Sequence, residues 1–330
     1  MALDPGAKRF LDRLAALHPP SARGLSVGER REALASLLGF AGLRPPIAAV
    51  EDRTIAGPAG ELPLRLYTPV GCGTRTALPG LIYFHGGGLV AGSLDTHDGI
   101  CRQLANASAC RIASVGYRLA PEHPFPAAIE DGKAAVRSIA ARAGEFGIEA
   151  GAVAVGGDSA GATLAAVVCQ QLVTDLVTDE RPADAKSAAV RIGLQFLLCP
   201  ILDFRADNES RRTLASGYFL DQATLEHDLA HYLREGGDPA DARVSPLRAK
   251  AAVLGRLPPA CIHAAEFDPL RDEAKAYARR LGEAGVNAVF RCHGGMIHLF
   301  YGLGALVPRA AEAFELMGRD IRTMLTRGNP

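Results

Sequence analysis

No run of eighteen apolar residues occurs in this 330-residue chain, so nothing in it reads as a membrane-spanning helix. An excess of one charge is also missing. Thirty-six basic residues balance thirty-six acidic ones, which removes the electrostatic case for nucleic acid or an anionic membrane as partner. No Walker pattern G-x-x-x-x-G-K-[ST] is present, which argues against a phosphate-binding loop. The seven cysteines are scattered, odd in number and form no C-x-x-C pair. They read as reduced thiols, and a cytoplasmic protein is expected. The N-terminus lacks a basic start followed by an apolar core, so no signal peptide is expected. There is no internal repeat or low-complexity tract. What remains is an ordinary globular composition, 48% hydrophobic and 22% charged. The chain is long enough for one large domain with a small appendage.

The most informative feature is Gly157-Asp158-Ser159-Ala160-Gly161. It follows the apolar run Ala152-Val153-Ala154-Val155 and opens a helix-like stretch from Thr163 to Leu176, the strand–turn–helix context of a nucleophile elbow. A serine on so sharp a turn has its oxygen pushed out above the sheet, where it can attack a carbonyl carbon. Taken alone, the pentapeptide also suits a Gly-rich turn with an uninvolved serine. A second motif, His85-Gly86-Gly87-Gly88, follows the buried-strand pattern Gly80-Leu81-Ile82-Tyr83-Phe84. Consecutive glycines leave backbone N–H groups unshielded, as an oxyanion hole requires. Esterases and lipases combine such a loop with the N–H of the residue after the nucleophile, here Ala160.

In α/β-hydrolases the acid and then the histidine follow the serine in the chain. Asp268 lies just past the strand-like segment Ala260–Ala265, at a carboxyl end where sites gather in open α/β sheets. It would orient an imidazole and stabilise it when charged. Glu266 and Asp272 are the rival acids, and Asp272 reads as a cap on the following helix. After a further strand, Ala288–Arg291, comes Gly294-Gly295-Met296-Ile297-His298. Its loop placement makes His298 the expected general base, with His293 as competitor.

These motifs resemble the hormone-sensitive-lipase family of carboxylesterases, in the branch whose elbow reads GDSAG. The matching segments are His85–Gly88, Gly157–Gly161, Asp268-Pro269-Leu270-Arg271-Asp272 and Met296-Ile297-His298. Gly92–His97, Tyr117–Glu122 and Pro124–Ala128 match as well. The resemblance covers roughly residues 45 to 325. It implies an α/β-hydrolase fold, a Ser159–Asp268–His298 triad, and Gly87, Gly88 and Ala160 as oxyanion donors. It also implies that Gly86 shapes the loop and that His85 braces it. No cofactor or metal is implied. Leu89, Cys292-His293 and Leu299 depart from residues common in the family, which bears on pocket shape rather than on the reaction. The activity implied is hydrolysis of short- to medium-chain acyl esters through an acyl-enzyme. Amide or lactone hydrolysis on the same triad is the near alternative, and a non-catalytic ligand-binding protein the far one.

Strands are predicted at 50–55, 62–67, 80–84, 110–116, 151–156, 192–199, 259–265 and 287–292. Amphipathic helices between several of them, such as 127–142, 160–176, 272–284 and 308–325, predict a mainly parallel sheet covered on both faces. The first two strands read as an antiparallel hairpin joined by Gly57-Pro58-Ala59-Gly60. By resemblance, residues 203–247 form an insertion that joins N-terminal helices in 1–48 as a cap, leaving 49–202 and 248–330 as the catalytic domain. Leu89, Tyr218, Phe219 and Leu220 are candidate pocket residues, with packing inside the cap as the alternative for each. His227-Asp228-Leu229-Ala230-His231 nearly matches a zincin motif but offers no third ligand, and reads as a solvated cap helix. Arg205, Arg211 and Arg212 read as a solvated face. The expected partner is a small-molecule ester, and a homodimer through an edge strand would suit the fold.

Overall fold

The computed structural model describes residues 2–18, 20–178 and 190–327. Residues 179–189 of the expected catalytic domain, together with Met1, Pro19 and 328–330, lie outside the described residues. Eight strands form one sheet in the order β1-β2-β4-β3-β5-β6-β7-β8. They are β1 (Ala49–Gly57), β2 (Gly60–Thr68), β3 (Leu78–Phe84), β4 (Arg111–Val115), β5 (Ile148–Asp158), β6 (Leu194–Leu198), β7 (Ala260–Phe267) and β8 (Ala288–Ile297). Only β2 runs against its neighbours. The pairs from β4 through β3, β5, β6 and β7 to β8 are all parallel. The α/β-hydrolase fold with a mostly parallel sheet therefore stands as expected.

Parallel strands need crossover connections, and the helices that supply them cover both faces. Strand alternation divides the core accordingly. Ile82 and Phe84 of β3 pack with Val153 and Val155 of β5 on one face, while Leu81, Tyr83 and Ala154 point to the other. The first face is covered by α4 (Ala127–Ala141), α5 (Ala160–Thr178) and α9 (Arg271–Glu283). The second is covered by α3 (Asp98–Ser108) and α10 (Ala310–Arg327).

Two segments stand outside this sandwich. The N-terminal one holds α1 (Pro5–Ala16) and α2 (Val27–Ala41). Asp4 caps α1 through its carboxylate, and Ser26 with Glu29 closes a capping box on α2. The other lies between β6 and β7 and holds α6 (Glu209–Thr213), α7 (Gln222–Tyr232) and α8 (Ala251–Leu254). The two meet above the carboxyl ends of the strands. Arg30 on α2 pairs with Asp228 on α7 at 3.0 Å, Arg23 pairs with Glu226, and a His227 ring nitrogen lies 3.2 Å from the Leu25 carbonyl.

Two expectations about polar residues are corrected. Arg211 is buried and paired with Glu273 at 2.9 Å rather than solvated, whereas Arg212 remains on the surface beside Asp207. His227 is buried against the N-terminal segment, with its second ring nitrogen facing the Asp228 carboxylate at 3.1 Å. Both imidazole nitrogens are therefore engaged by the protein itself. Among the described residues no helix is long and apolar enough to cross a membrane.

Candidate active site

Ser159 sits between β5 and α5 at φ +51°, in the left-handed region. Its N–H donates to the Leu198 carbonyl of β6 at 2.8 Å, and its carbonyl accepts from Ala162 and Thr163 as the helix begins. The turn is crowded. A Cβ on Gly157 would come within 2.2 Å of the Phe84 carbonyl oxygen, and one on Gly161 within 2.1 Å of the same atom. Glycine at both positions lets the elbow press against the end of β3.

The structure brings Ser159, His298 and Asp268 together from three separate strand ends. The Ser159 hydroxyl lies 3.1 Å from His298 Nε2, and His298 Nδ1 lies 2.7 Å from Asp268 Oδ2. Asp268 is fully buried, and its other oxygen accepts from Leu270 N–H at 2.9 Å. In this order a carboxylate can fix an imidazole, and the imidazole can take a hydroxyl proton.

The rival residues lie elsewhere. Glu266 accepts from Gly295 N–H at 2.8 Å. Asp272 does not cap the following helix as expected. It lies inside the first turn of α9 and accepts from Ser210 N–H at 2.8 Å, because Leu270 occupies the cap position. His293 stacks on His263, with its Nε2 3.0 Å from His263 Nδ1, and burial pushes its pKa down to about 4.

Gly87 and Gly88 follow β3 with φ of +118° and +70°. The loop closes on itself through Ala91 N–H to the Gly87 carbonyl at 2.8 Å. Behind it, His85 stacks on Tyr117 with ring centroids 4.4 Å apart, and the Tyr117 hydroxyl donates to the His85 carbonyl at 2.6 Å. Burial and the neighbouring His97 ring push the His85 pKa down to about 3, so it stays neutral. Gly86 donates its N–H to Asp158 at 2.9 Å. Ala160 opens α5, where the first N–H groups of a helix have no intrahelical partner.

Ser159, His298, Gly87 and Gly88 share one cavity of about 310 Å³. Its walls are mostly apolar. The N-terminal helices contribute Phe10, Leu14 and Leu34, and the insertion contributes Phe219, Leu220 and Leu225. Of the four candidate pocket residues, Phe219 and Leu220 line this cavity, and Leu89 and Tyr218 do not. Leu89, at φ +63°, turns its side chain into the core, and Tyr218 stacks on Phe267 at 5.5 Å. Leu299 does line the cavity, in keeping with the expectation that it bears on pocket shape.

Sequence reasoning missed Asp158 and His97, two buried polar residues bordering the same space, and the Arg30–Asp228 pair. The signal for Asp158 was a charged residue at the end of a buried strand. Cys261, His263 and Asp320 form a second buried cluster, but its groups satisfy one another. The Cys261 sulfur lies 3.1 Å from His263, and Arg291 holds Asp320 at 2.8 Å.

Residues 81–302 match the alpha/beta hydrolase fold family. The chain belongs to that family. It is 42% identical over 280 residues to the carboxylic ester hydrolase LipN of Mycobacterium tuberculosis, covering 84% of this chain and 71% of that protein. It is 34% identical to an arylesterase of Saccharolobus solfataricus, covering 96% and 97% of the two chains. Among solved structures, an ester-hydrolase from the metagenome of Lake Arreo superposes with a TM-score of 0.89 at 39% identity, covering 98% of this chain and 99% of that one. The resemblance to hormone-sensitive-lipase-type carboxylesterases drawn from the motifs thus extends along nearly the whole chain.

Proposed function

We propose that this protein is a serine carboxylesterase that hydrolyses short- to medium-chain acyl esters through an acyl-Ser159 intermediate. The observation that carries this reading is the Ser159–His298–Asp268 chain, at 3.1 and 2.7 Å, on the floor of a largely apolar cavity. Ester hydrolysis is also the activity named for its relatives. In the first half-reaction His298 takes the Ser159 proton as the oxygen attacks the ester carbonyl. Asp268 holds the imidazole and stabilises its charge. The N–H groups of Gly87, Gly88 and Ala160 receive the oxyanion, and His298 then protonates the departing alcohol. Water hydrolyses the acyl-enzyme by the same steps in reverse.

A cavity of about 310 Å³ is at the small end of ligand pockets, which supports acyl chains of modest length. The seven unpaired cysteines support a reducing, cytoplasmic setting. The outer edge of β8 supports association as a homodimer.

Hydrolysis of p-nitrophenyl esters of rising acyl length, wild type against Ser159→Ala, tests the proposal. Turnover of the shorter esters should fall by roughly 10³-fold or more in the variant. A loss below about tenfold removes Ser159 as nucleophile. A folded wild type inert toward every ester overturns the carboxylesterase reading.

A further inference from the structure

Asp158 is a fully buried carboxylate one residue before the serine, and none of the steps above uses it. Its surroundings are unusually rich in donors. Oδ1 accepts from the Tyr83 hydroxyl at 2.5 Å and from Gly86 N–H at 2.9 Å. Oδ2 accepts from the Tyr301 hydroxyl at 3.0 Å and lies 3.4 Å from His97 Nε2. Burial pushes its carboxyl pKa up, but His97, Tyr83 and Tyr301 together outweigh that and hold it below the usual carboxylate value. The group is an anion whose lone pairs are spent on four fixed partners.

Those partners come from each segment that carries the chemistry. Gly86 precedes the two glycines of the oxyanion loop. Asp158 itself belongs to the elbow. Tyr301 stands three residues beyond His298 in the turn Phe300–Gly302. The fit is close: a Cβ on Gly86 would lie 2.4 Å from Asp158 Oδ2. We infer that Asp158 is a positioning residue that registers the oxyanion loop against Ser159 and the histidine turn. Although it borders the cavity, its carboxylate oxygens are turned to Tyr83, Gly86 and Tyr301, so it acts through them rather than on the reacting atoms. Its carboxylate orients the Gly86 peptide, which sets where the next two N–H groups point. The inference rests on Ser159 being the nucleophile. It predicts a defect concentrated in the transition state, because most of the wall that binds the ester is apolar and made by other residues, such as Phe10, Leu34, Phe219 and Leu225.

Asp158→Asn keeps the size of the group but replaces one acceptor oxygen with an NH₂ facing donors. In a folded variant, kcat should fall by roughly 10²-fold, comparable to losing an oxyanion donor, with KM within about twofold. A boronic acid that forms a tetrahedral adduct on Ser159 should lose affinity in parallel with kcat/KM. Competitive inhibition by the alcohol product should not change. Tyr301→Phe removes one of the three hydrogen-bond donors and should give a smaller loss of the same kind, roughly three- to tenfold. This variant carries the test if Asp158→Asn does not fold.

Unchanged kcat and boronic acid affinity in the folded variants would overturn the inference, as would a loss expressed only in KM or melting temperature. If the wild type hydrolyses no ester, the carboxylesterase reading fails, while boronic acid titration of the same proteins still decides the role of Asp158.

Discussion

A serine at φ +51° is an expensive residue. The left-handed region costs a non-glycine residue of order 1–3 kcal/mol, which persists only where the surroundings over-determine it. Here the Leu198 carbonyl holds the Ser159 N–H, and the flanking glycines let the end of β3 come into contact. Gly161→Ala would place a methyl group 2.1 Å from one backbone carbonyl oxygen and 2.4 Å from another, that of His85. Neither atom is the tip of a flexible side chain, so the elbow must move. We expect a loss of about 1–3 kcal/mol in stability and a much larger proportional loss in esterase rate, read by thermal denaturation and turnover together. Wild-type values for both would show that the turn tolerates a Cβ. Residues of this kind were legible in the sequence because their motifs are contiguous. Asp158 was not, because its partners at 83, 86, 97 and 301 come together only in the fold. Leu89 and Tyr218 were misplaced for a different reason. An apolar residue beside a motif can face core or cavity, and only the backbone turn decides which.

Among the elements, the segments above the strand ends determine what the cavity admits. Phe219 packs on Phe10 with ring centroids 5.6 Å apart, so one residue from each segment closes the same wall. Phe219→Ala should deepen the cavity and move the preferred acyl chain toward greater length, seen as a several-fold rise in the ratio of kcat/KM for long over short esters. An unchanged ratio would put the acyl chain elsewhere. The insertion is pinned to the sheet domain by Arg211 on α6, which reaches Glu273 on α9 inside the protein. Glu273 also accepts from the Leu202 N–H at 2.7 Å. Removing one partner of a buried pair strands the other, so Arg211→Ala should cost about 3–5 kcal/mol by chemical denaturation. Replacing both residues with apolar ones of similar size should recover most of that loss. A cost below about 1 kcal/mol would mean that Glu273, which burial already pushes up to about 7, takes up a proton once Arg211 is gone, or that water reaches the pair. The strands and long helices of the sheet were legible because hydrophobic periodicity marks them. Arg211 was not, because two adjacent arginines on a five-residue helix look alike in sequence, and one turns inward.

At the scale of the whole molecule, the eight-stranded sheet and the layers that cover it enclose several imidazoles. Burial is the main reason three of them resist protonation. His85 is pushed down to about 3, His293 to about 4, and His263 well below the ordinary value. In the unfolded chain each would take up a proton near pH 6.5. Between that pH and their folded values the unfolded state binds more protons, so stability rises with pH across this window and is lost as pH falls through it. Each histidine contributes a slope of up to about 1.4 kcal/mol per pH unit. Glu273, which burial pushes up to about 7, opposes one such share between pH 7 and 4.5. The net acid limb is therefore about two shares, roughly 3 kcal/mol per unit between pH 6 and 5. Denaturation free energies at pH 7, 6 and 5 should show that decline. His293→Phe, at the cluster's outer position beside Phe300, should flatten it by about one histidine's share. Equal stabilities at pH 7 and pH 5 would mean that these rings accept protons in the folded state, and that the two histidine clusters are open to water.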